Sequence, residues 1–410
     1  MVLDINSNIT EVKNCGSCGK NSLIIIHDFG NSPLAGYFPH KGKISNDYLI
    51  PMQLLFCKTC TLTQISPNVS DDLLFKDYRY VSAIGMTQHF TNFANWFQKF
   101  LKICIKSEIL EIGSNDGTLL SALTSLGYMP KGIDPASNIT KIAKDQKLNV
   151  IEDFFNEAAL DKHNLRDKFD IVISCNSFAH ISNIAEIAKG IAAVLKHDGL
   201  FIVEVQSLPE LLRKKAIDFI YHEHKYYYSI ESISNLLKQF GLYLIDGIVV
   251  DTHGGSYRLV FSKVNKKQSL SISKLISNEN VMGVKPEYIS EKIYEYKEYI
   301  EQLAKYIESE KAKGKKIICF GASGRGNMLL HEFKNFDLFE FVVDESEERI
   351  GRQMAFSGLE VIEFSKLSEK DYDDCLVLAW NYFDKILQKW PHSNKQLIRP
   401  LPILESFKSN

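Results

Sequence analysis

The densest run of groups able to exchange protons is Tyr221-His-Glu-His-Lys-Tyr-Tyr-Tyr-Ser229. A neutral imidazole titrating near pH 6.5 can take a proton around neutrality, and a neighbouring carboxylate can orient it. His222 and His224 alternate and would share one face of a strand, as metal ligands do. No further His, Asp or Glu pair at ligand spacing accompanies them. A surface loop seldom strings so many aromatics with histidines, so the run predicts an acid–base cluster.

A second constellation is Glu111-Ile-Gly-Ser-Asn-Asp-Gly117, between the apolar Ile109-Leu110 and a helix start at Thr118. A strand ending in a glycine turn brings backbone N–H groups and a helix N-terminus close to a ligand. Carboxylates at Glu111 and Asp116 would repel a pyrophosphate but suit the cationic, amino-acid-bearing end of S-adenosylmethionine. Gly113, Asn115 and Gly117 complete the turn. Asp134 ends the next strand, where a doubly wound fold places the acid that accepts from ribose hydroxyls. Asp153 and Phe154, after the third strand, are placed to meet the adenine amino group and ring. Asn176 and His180, after the fourth, face the methyl-bearing end. For His180 a helix cap or a core position is the alternative.

Cys15-Gly-Ser-Cys18 and Cys57-Lys-Thr-Cys60 are two knuckle-like pairs, and four thiolates make a closed, structural zinc site. A segment this small needs such a staple. The other four cysteines, Cys104, Cys175, Cys319 and Cys375, lie in apolar contexts and are expected to be buried thiols.

These groups need elements to hold them. The 410 residues suggest two or three domains. With 45% apolar and 24% charged residues and a net charge of −2, the chain reads as an ordinary globular protein. There is no basic excess for nucleic acid and no apolar run long enough to span a bilayer. The start shows no signal-peptide pattern, which implies the cytoplasm. A monomer or weak homo-oligomer is expected. Strand patterns fall at 108–113, 129–134, 149–152, 170–175, 200–205, 243–250 and 257–263, with helical patterns among them. That predicts a parallel-dominated sheet with antiparallel strands at its end.

An aromatic helix carrying Phe90, Phe93, Trp96, Phe97 and Phe100 precedes it, after Asp77-Tyr-Arg-Tyr-Val-Ser82. Tyr78 and Tyr80 in that segment are candidates to reach the site. His253-Gly-Gly-Ser256-Tyr-Arg258 offers His253, Ser256 and Arg258 to a hydroxyl-rich or anionic substrate. Residues 266–280 read as a linker. A helix over 286–311 follows, with Ile289, Ile293, Tyr296, Ile300, Leu303 and Ile307 on one stripe that should pack within the chain.

A smaller α/β unit begins at 315, with strands at 316–320, 339–343, 359–362 and 375–379. Its turn, Gly321-Ala-Ser-Gly324-Arg325-Gly-Asn327, is Gly-x-x-Gly-x-Gly rather than the dinucleotide pattern. It predicts one nucleotide moiety, with Asp344 on the ribose, Arg325 or Arg352 near phosphates, and Trp380 and Asn381 shaping the crevice.

Taken together, these motifs resemble the bacterial sugar C-methyltransferases that act on nucleotide-linked 4-keto-deoxysugars. The resemblance is carried by the paired cysteines, Asp77–Ser82, Glu111–Gly117, Asn176-x-x-x-His180, the Tyr221–Ser229 run, His253-Gly-Gly-Ser, Gly321–Asn327 and Ala379-Trp-Asn381, in family order. It implies a zinc-binding β module (1–75), a class I Rossmann-like methyltransferase sheet (76–265), a linker and long helix (266–314), and a smaller Rossmann-like domain (315–410) that helps hold a nucleotide-diphosphate ketosugar. It also implies that Tyr221, Glu223 and His224 stand at the sugar. On that reading His224 removes the C3 proton, Glu223 orients it or contacts a hydroxyl, and Tyr221, Tyr78 or Tyr80 donates toward the enolate, with His180 as reserve base. The competing readings are an O- or N-methyltransferase, a binding protein on the same scaffold, and an NAD-dependent oxidoreductase.

Overall fold

The computed structural model describes residues 8–42, 49–75, 83–101, 104–390 and 395–408. Its centre is a seven-stranded sheet in the order 243–250, 256–262, 195–206, 169–175, 109–112, 131–134, 149–152. All neighbours are parallel except Ser256–Ser262, which runs antiparallel to the strands on both sides. The parallel strands read as apolar runs because helices cover both faces. One cover is Ala83–Leu101, whose Phe90, Phe93 and Phe97 are buried against Ile173, Ile202 and Val260.

A four-stranded antiparallel sheet forms the N-terminal module: Leu23–Pro33, Leu49–Cys57, Thr63–Ser66 and, from far along the chain, Tyr226–Tyr227. Part of the acid–base run is thus an edge strand of the N-terminal sheet. The C-terminal sheet runs 361–363, 342–344, 317–320, 374–377, 396–399, 405–408, parallel but for the last strand.

The long helix, Pro286–Ala312, buries the six predicted stripe residues in a core shared with the N-terminal sheet and the C-terminal domain. The expected linker is instead largely helical. Ser269 caps the helix Leu270–Met282, accepting from the Ile272 N–H at 3.3 Å. Its buried Glu279 bonds Tyr257 and accepts from the Ile230 N–H. Serine-rich composition hid a cap and two anchors. Cys175, Cys319 and Cys375 are buried as expected, whereas Cys104 is exposed. No described helix is long and apolar enough to cross a membrane.

Candidate active site

The first glycine turn has the features of a ligand cradle. Gly113 has φ +72°, and a Cβ there would lie 2.5 Å from Ser177 Cβ. Only glycine fits both constraints. Glu111 is buried, its Oε2 lacks a hydrogen-bond partner, and Asn176 Nδ2 is orphaned in the same way. Burial, with Asp134 and Asp116 nearby, holds the Glu111 carboxyl well above its ordinary range. A cationic ligand group would relieve that cost. Asp134 ties the cradle together, accepting from the N–H of Asn115 (3.0 Å) and of Ala136 (2.9 Å).

Two other acids are committed to the protein. Asp116 accepts from Thr118 N and Oγ1 at the helix start. Asp153 pairs with Lys162 and His163, beside a half-exposed Phe154.

The geometry around His224 fixes its tautomer. The Phe219 carbonyl lies 2.8 Å from Nδ1 and can only accept, so Nδ1 carries the proton. Nε2 therefore accepts from the Tyr221 hydroxyl, 3.0 Å away. His180 stands edge-on to His224 with ring centroids 4.8 Å apart. Burial first, and then the repulsion that a second positive charge would meet from a protonated His180 or His253 and from the Arg325 guanidinium, hold His224 well below the usual histidine range. Burial likewise lowers His180, His222 and His253 to about 4.

These three histidines are neutral in the folded protein and would charge in the unfolded chain below about pH 6.5. The unfolded state then binds more protons, so stability is complete above 6.5 and falls as the pH drops toward 4. Each group contributes on the order of 1.4 kcal/mol per pH unit in that window. Thermal melts from pH 7.5 to 4.5 should show this decline, flattened by His222→Gln; a pH-independent Tm would contradict it.

Glu223 accepts from the Gly36 N–H of the N-terminal module at 3.0 Å, and its Oε2 is buried without a partner. Arg325 reaches over from the C-terminal glycine turn. Its guanidinium stacks 3.6 Å from the Phe219 ring centroid and 4.7 Å from that of Trp380. It lies 2.7 Å from Asp218 Oδ2 and donates to Asn381 Oδ1 at 2.7 Å. Trp380 Nε1 donates to the same Asp218 oxygen. The structure thus brings Tyr221, His224, His180, His253 and Arg325 together where the domains meet, with Trp380 and Asn381 behind them.

Several expected substrate residues do something else. Arg258 is buried, pairs with Glu204 through Nε (2.9 Å) and Nη2 (2.8 Å), and stacks on Phe93 and Trp96. Ser256 donates to the Thr252 carbonyl. In the C-terminal turn, Gly321 lets the chain approach Ala379, and a Cβ on Gly324 would meet Ala35 at 3.2 Å. Asn327 donates to the carbonyls of Ala35 and Tyr37, and Arg352 donates to that of Phe38. This turn grips an N-terminal loop where a phosphate was expected. Asp344 accepts from Ala322 N and Ser346 N, repeating the Asp134 arrangement. Tyr78 and Tyr80 lie outside the described residues.

The four cysteine sulfurs lie within 4.8 Å of one another, with Cys15–Cys60 at 3.4 Å and Cys18–Cys57 at 3.6 Å. These are far beyond a disulfide bond and near the ~3.8 Å edge of a tetrahedron with metal–sulfur bonds of about 2.3 Å. Sharing a proton with Cys15 draws Cys60 down to about 5. The donor set fits zinc.

Sequence reasoning missed His89, Glu204, Asp218 and Phe219. His89 bonds the buried Glu204 at 2.5 Å through Nε2 and Thr252 at 3.0 Å through Nδ1. Glu204 was the legible one: a carboxylate inside Leu200-Phe-Ile-Val-Glu-Val205 must have a buried partner.

Two family models match the chain, a methyltransferase domain over residues 45–246 and a C-methyltransferase C-terminal domain over 251–402. The C-methyltransferase NovU of Streptomyces niveus is 27% identical over 96% of both chains. A ubiquinone biosynthesis O-methyltransferase of Bradyrhizobium sp. is 30% identical over 23% of this chain and 38% of its own length. Among solved structures, the PH0226 protein of Pyrococcus horikoshii aligns with TM-score 0.38 and 17% identity, over 47% of this chain and 97% of that one. The CurJ carbon methyltransferase aligns with TM-score 0.36 and 11% identity, over 43% and 54%.

Proposed function

We infer, from the premise that the chain belongs to the S-adenosylmethionine-dependent C-methyltransferases, that it methylates a nucleotide-linked 4-keto-deoxysugar at C3. The observation that carries this reading is the Tyr221–His224–Phe219 hydrogen-bond chain, set beside His180, His253 and Arg325.

A hydrogen next to a ketone can be removed by a positioned base when the enolate oxygen is stabilised. The C3 hydrogen and the C4 oxygen sit on neighbouring carbons, and Tyr221 Oη and His224 Nε2 are neighbours at 3.0 Å. With the sugar bound, Tyr221 turns its O–H to the C4 oxygen, and the freed Nε2 takes the C3 proton. The Phe219 carbonyl then faces the Nδ1–H of an imidazolium and stabilises it. Arg325, the fixed cation beside the histidines, favours the developing oxyanion.

S-adenosylmethionine supplies an electrophilic methyl group; Glu111, Asn176, Asp134 and the Gly113–Gly117 turn would hold it. Alignment and exclusion of water supply much of the remaining rate. We assign the closed Cys15/Cys18/Cys57/Cys60 site to structural zinc and the protein to the cytoplasm.

Incubation with S-adenosylmethionine and thymidine-, guanosine- or cytidine-linked 4-keto-6-deoxyhexoses tests the reading. One product should gain the mass of a methylene (~14 Da), with the label on carbon. No gain on any of them, despite donor binding, would move the assignment to O- or N-methylation. Stripping the metal with a chelator should lower Tm and abolish turnover together, since Tyr226–Tyr227 pairs with the module. A metal-free chain of unchanged Tm would refute the zinc assignment.

A further inference from the structure

We propose that the backbone N–H of Gly36, in the N-terminal module, is a positioning group for Glu223, fixing which carboxylate oxygen faces the sugar. The proposal rests on the reading that Glu223 contacts substrate. Gly36 N lies 3.0 Å from Glu223 Oε1, across 187 residues of sequence, while Oε2 is buried and has no partner. A carboxylate held by one oxygen offers the other at a defined angle; one held by neither rotates.

Gly36 itself is exposed, and a Cβ built on it meets nothing but Glu223 Oε1, at 3.1 Å. The N–H therefore reaches the carboxylate from an exposed residue and is not locked into a packed core.

What aims this amide is the C-terminal domain. Residues 35–42 run along it: Asn327 bonds the carbonyls of Ala35 and Tyr37, Arg352 that of Phe38, and the Gln353 N–H that of Pro39 at 2.9 Å. Gly42 N donates to Gln353 Oε1 at 3.0 Å. The loop is held on both sides of Gly36, so the amide reaches Glu223 only when module, central domain and C-terminal domain are docked together. The arrangement explains the grip of Asn327 and Arg352 on the module: both place the group that aims a residue of the site.

The test is a double-mutant cycle on the full-length, zinc-loaded chain, pairing Gly36→Pro, which deletes the N–H, with Glu223→Gln. A hydrogen bond to a charged group supports a loss of about ten- to a hundred-fold. Gly36→Pro should lower kcat by that factor in the wild-type background, with zinc content and the affinity for S-adenosylmethionine unchanged. In the Glu223→Gln background it should add less than about twofold, because with its oxygen on the Gly36 N–H the amide would present an NH2 in place of the second acceptor oxygen. Gly36→Ala keeps the donor and should stay within about threefold of wild type.

Independent, multiplicative losses, or wild-type kcat in Gly36→Pro, would overturn the proposal. If the proline chain fails to hold zinc, the cycle is read with Arg352→Gln, which releases the Phe38 carbonyl and loosens the loop that carries the amide, and whose smaller loss must likewise vanish beside Glu223→Gln. Wild-type turnover by Glu223→Gln alone would instead refute the reading that Glu223 works at the sugar.

Discussion

Replacing His224 with alanine is expected to lower kcat by about 10²–10⁴-fold, the usual worth of a positioned general base, while S-adenosylmethionine still binds. His224 is the imidazole whose tautomer the backbone dictates, through the Phe219 carbonyl, and whose open nitrogen meets a phenol. Its depressed basicity makes it neutral, and so competent to accept a proton, throughout the physiological range. Asparagine should do no better, since its amide cannot take the proton. Tyr221→Phe should cost less, about 10–10²-fold, because it removes a donor and leaves the base. Solvent deuterium exchange into the proposed ketosugar substrate without the methyl donor isolates the step: His224→Ala should abolish it. Exchange at the wild-type rate would pass the role of base to His180.

Glu204→Ala should have the largest effect on stability, about 3–5 kcal/mol, the cost of breaking a buried ion pair from one side. Its carboxylate has no exposed surface and serves Arg258 and His89 at once. Those bonds hold it below the usual glutamate range despite burial. Truncation would strand a guanidinium between Phe93, Trp96 and the sheet, where water cannot reach it. The double variant Glu204→Leu/Arg258→Leu should recover most of the loss, since an apolar pair of similar volume needs no partner. Urea unfolding of the three chains measures this; a single variant as stable as the wild type would remove Glu204 from the account.

The sequence was most legible where the partner is local or periodic. The six apolar residues of the long helix, the strands of the central sheet and the Glu111–Gly117 turn follow rules that span a few residues. It was least legible where the chemistry of a residue suits two partners and the partner lies far away. Arg258 and Arg352 were assigned to anions because guanidinium binds anions. Their real partners, Glu204 and the Phe38 carbonyl, are set by a strand register and a domain contact that no window of sequence contains. The C-terminal glycines misled for the same reason: close backbone approach is needed equally for a phosphate and for Ala35 or Ala379. Residues 270–282 failed differently, because serine marks both linkers and helix caps.

The edge strand Tyr226–Tyr227 has a consequence for how the chain is made. The N-terminal sheet cannot close when its own 75 residues leave the ribosome, because its last partner is synthesised some 150 residues later. Until then Thr63–Ser66 presents an unpaired edge, the usual template for unwanted pairing between chains. Non-local closure of this kind is slow. A nascent chain stalled before Tyr226 should therefore be the most aggregation-prone species on the path to the finished enzyme, however well its four cysteines have come together.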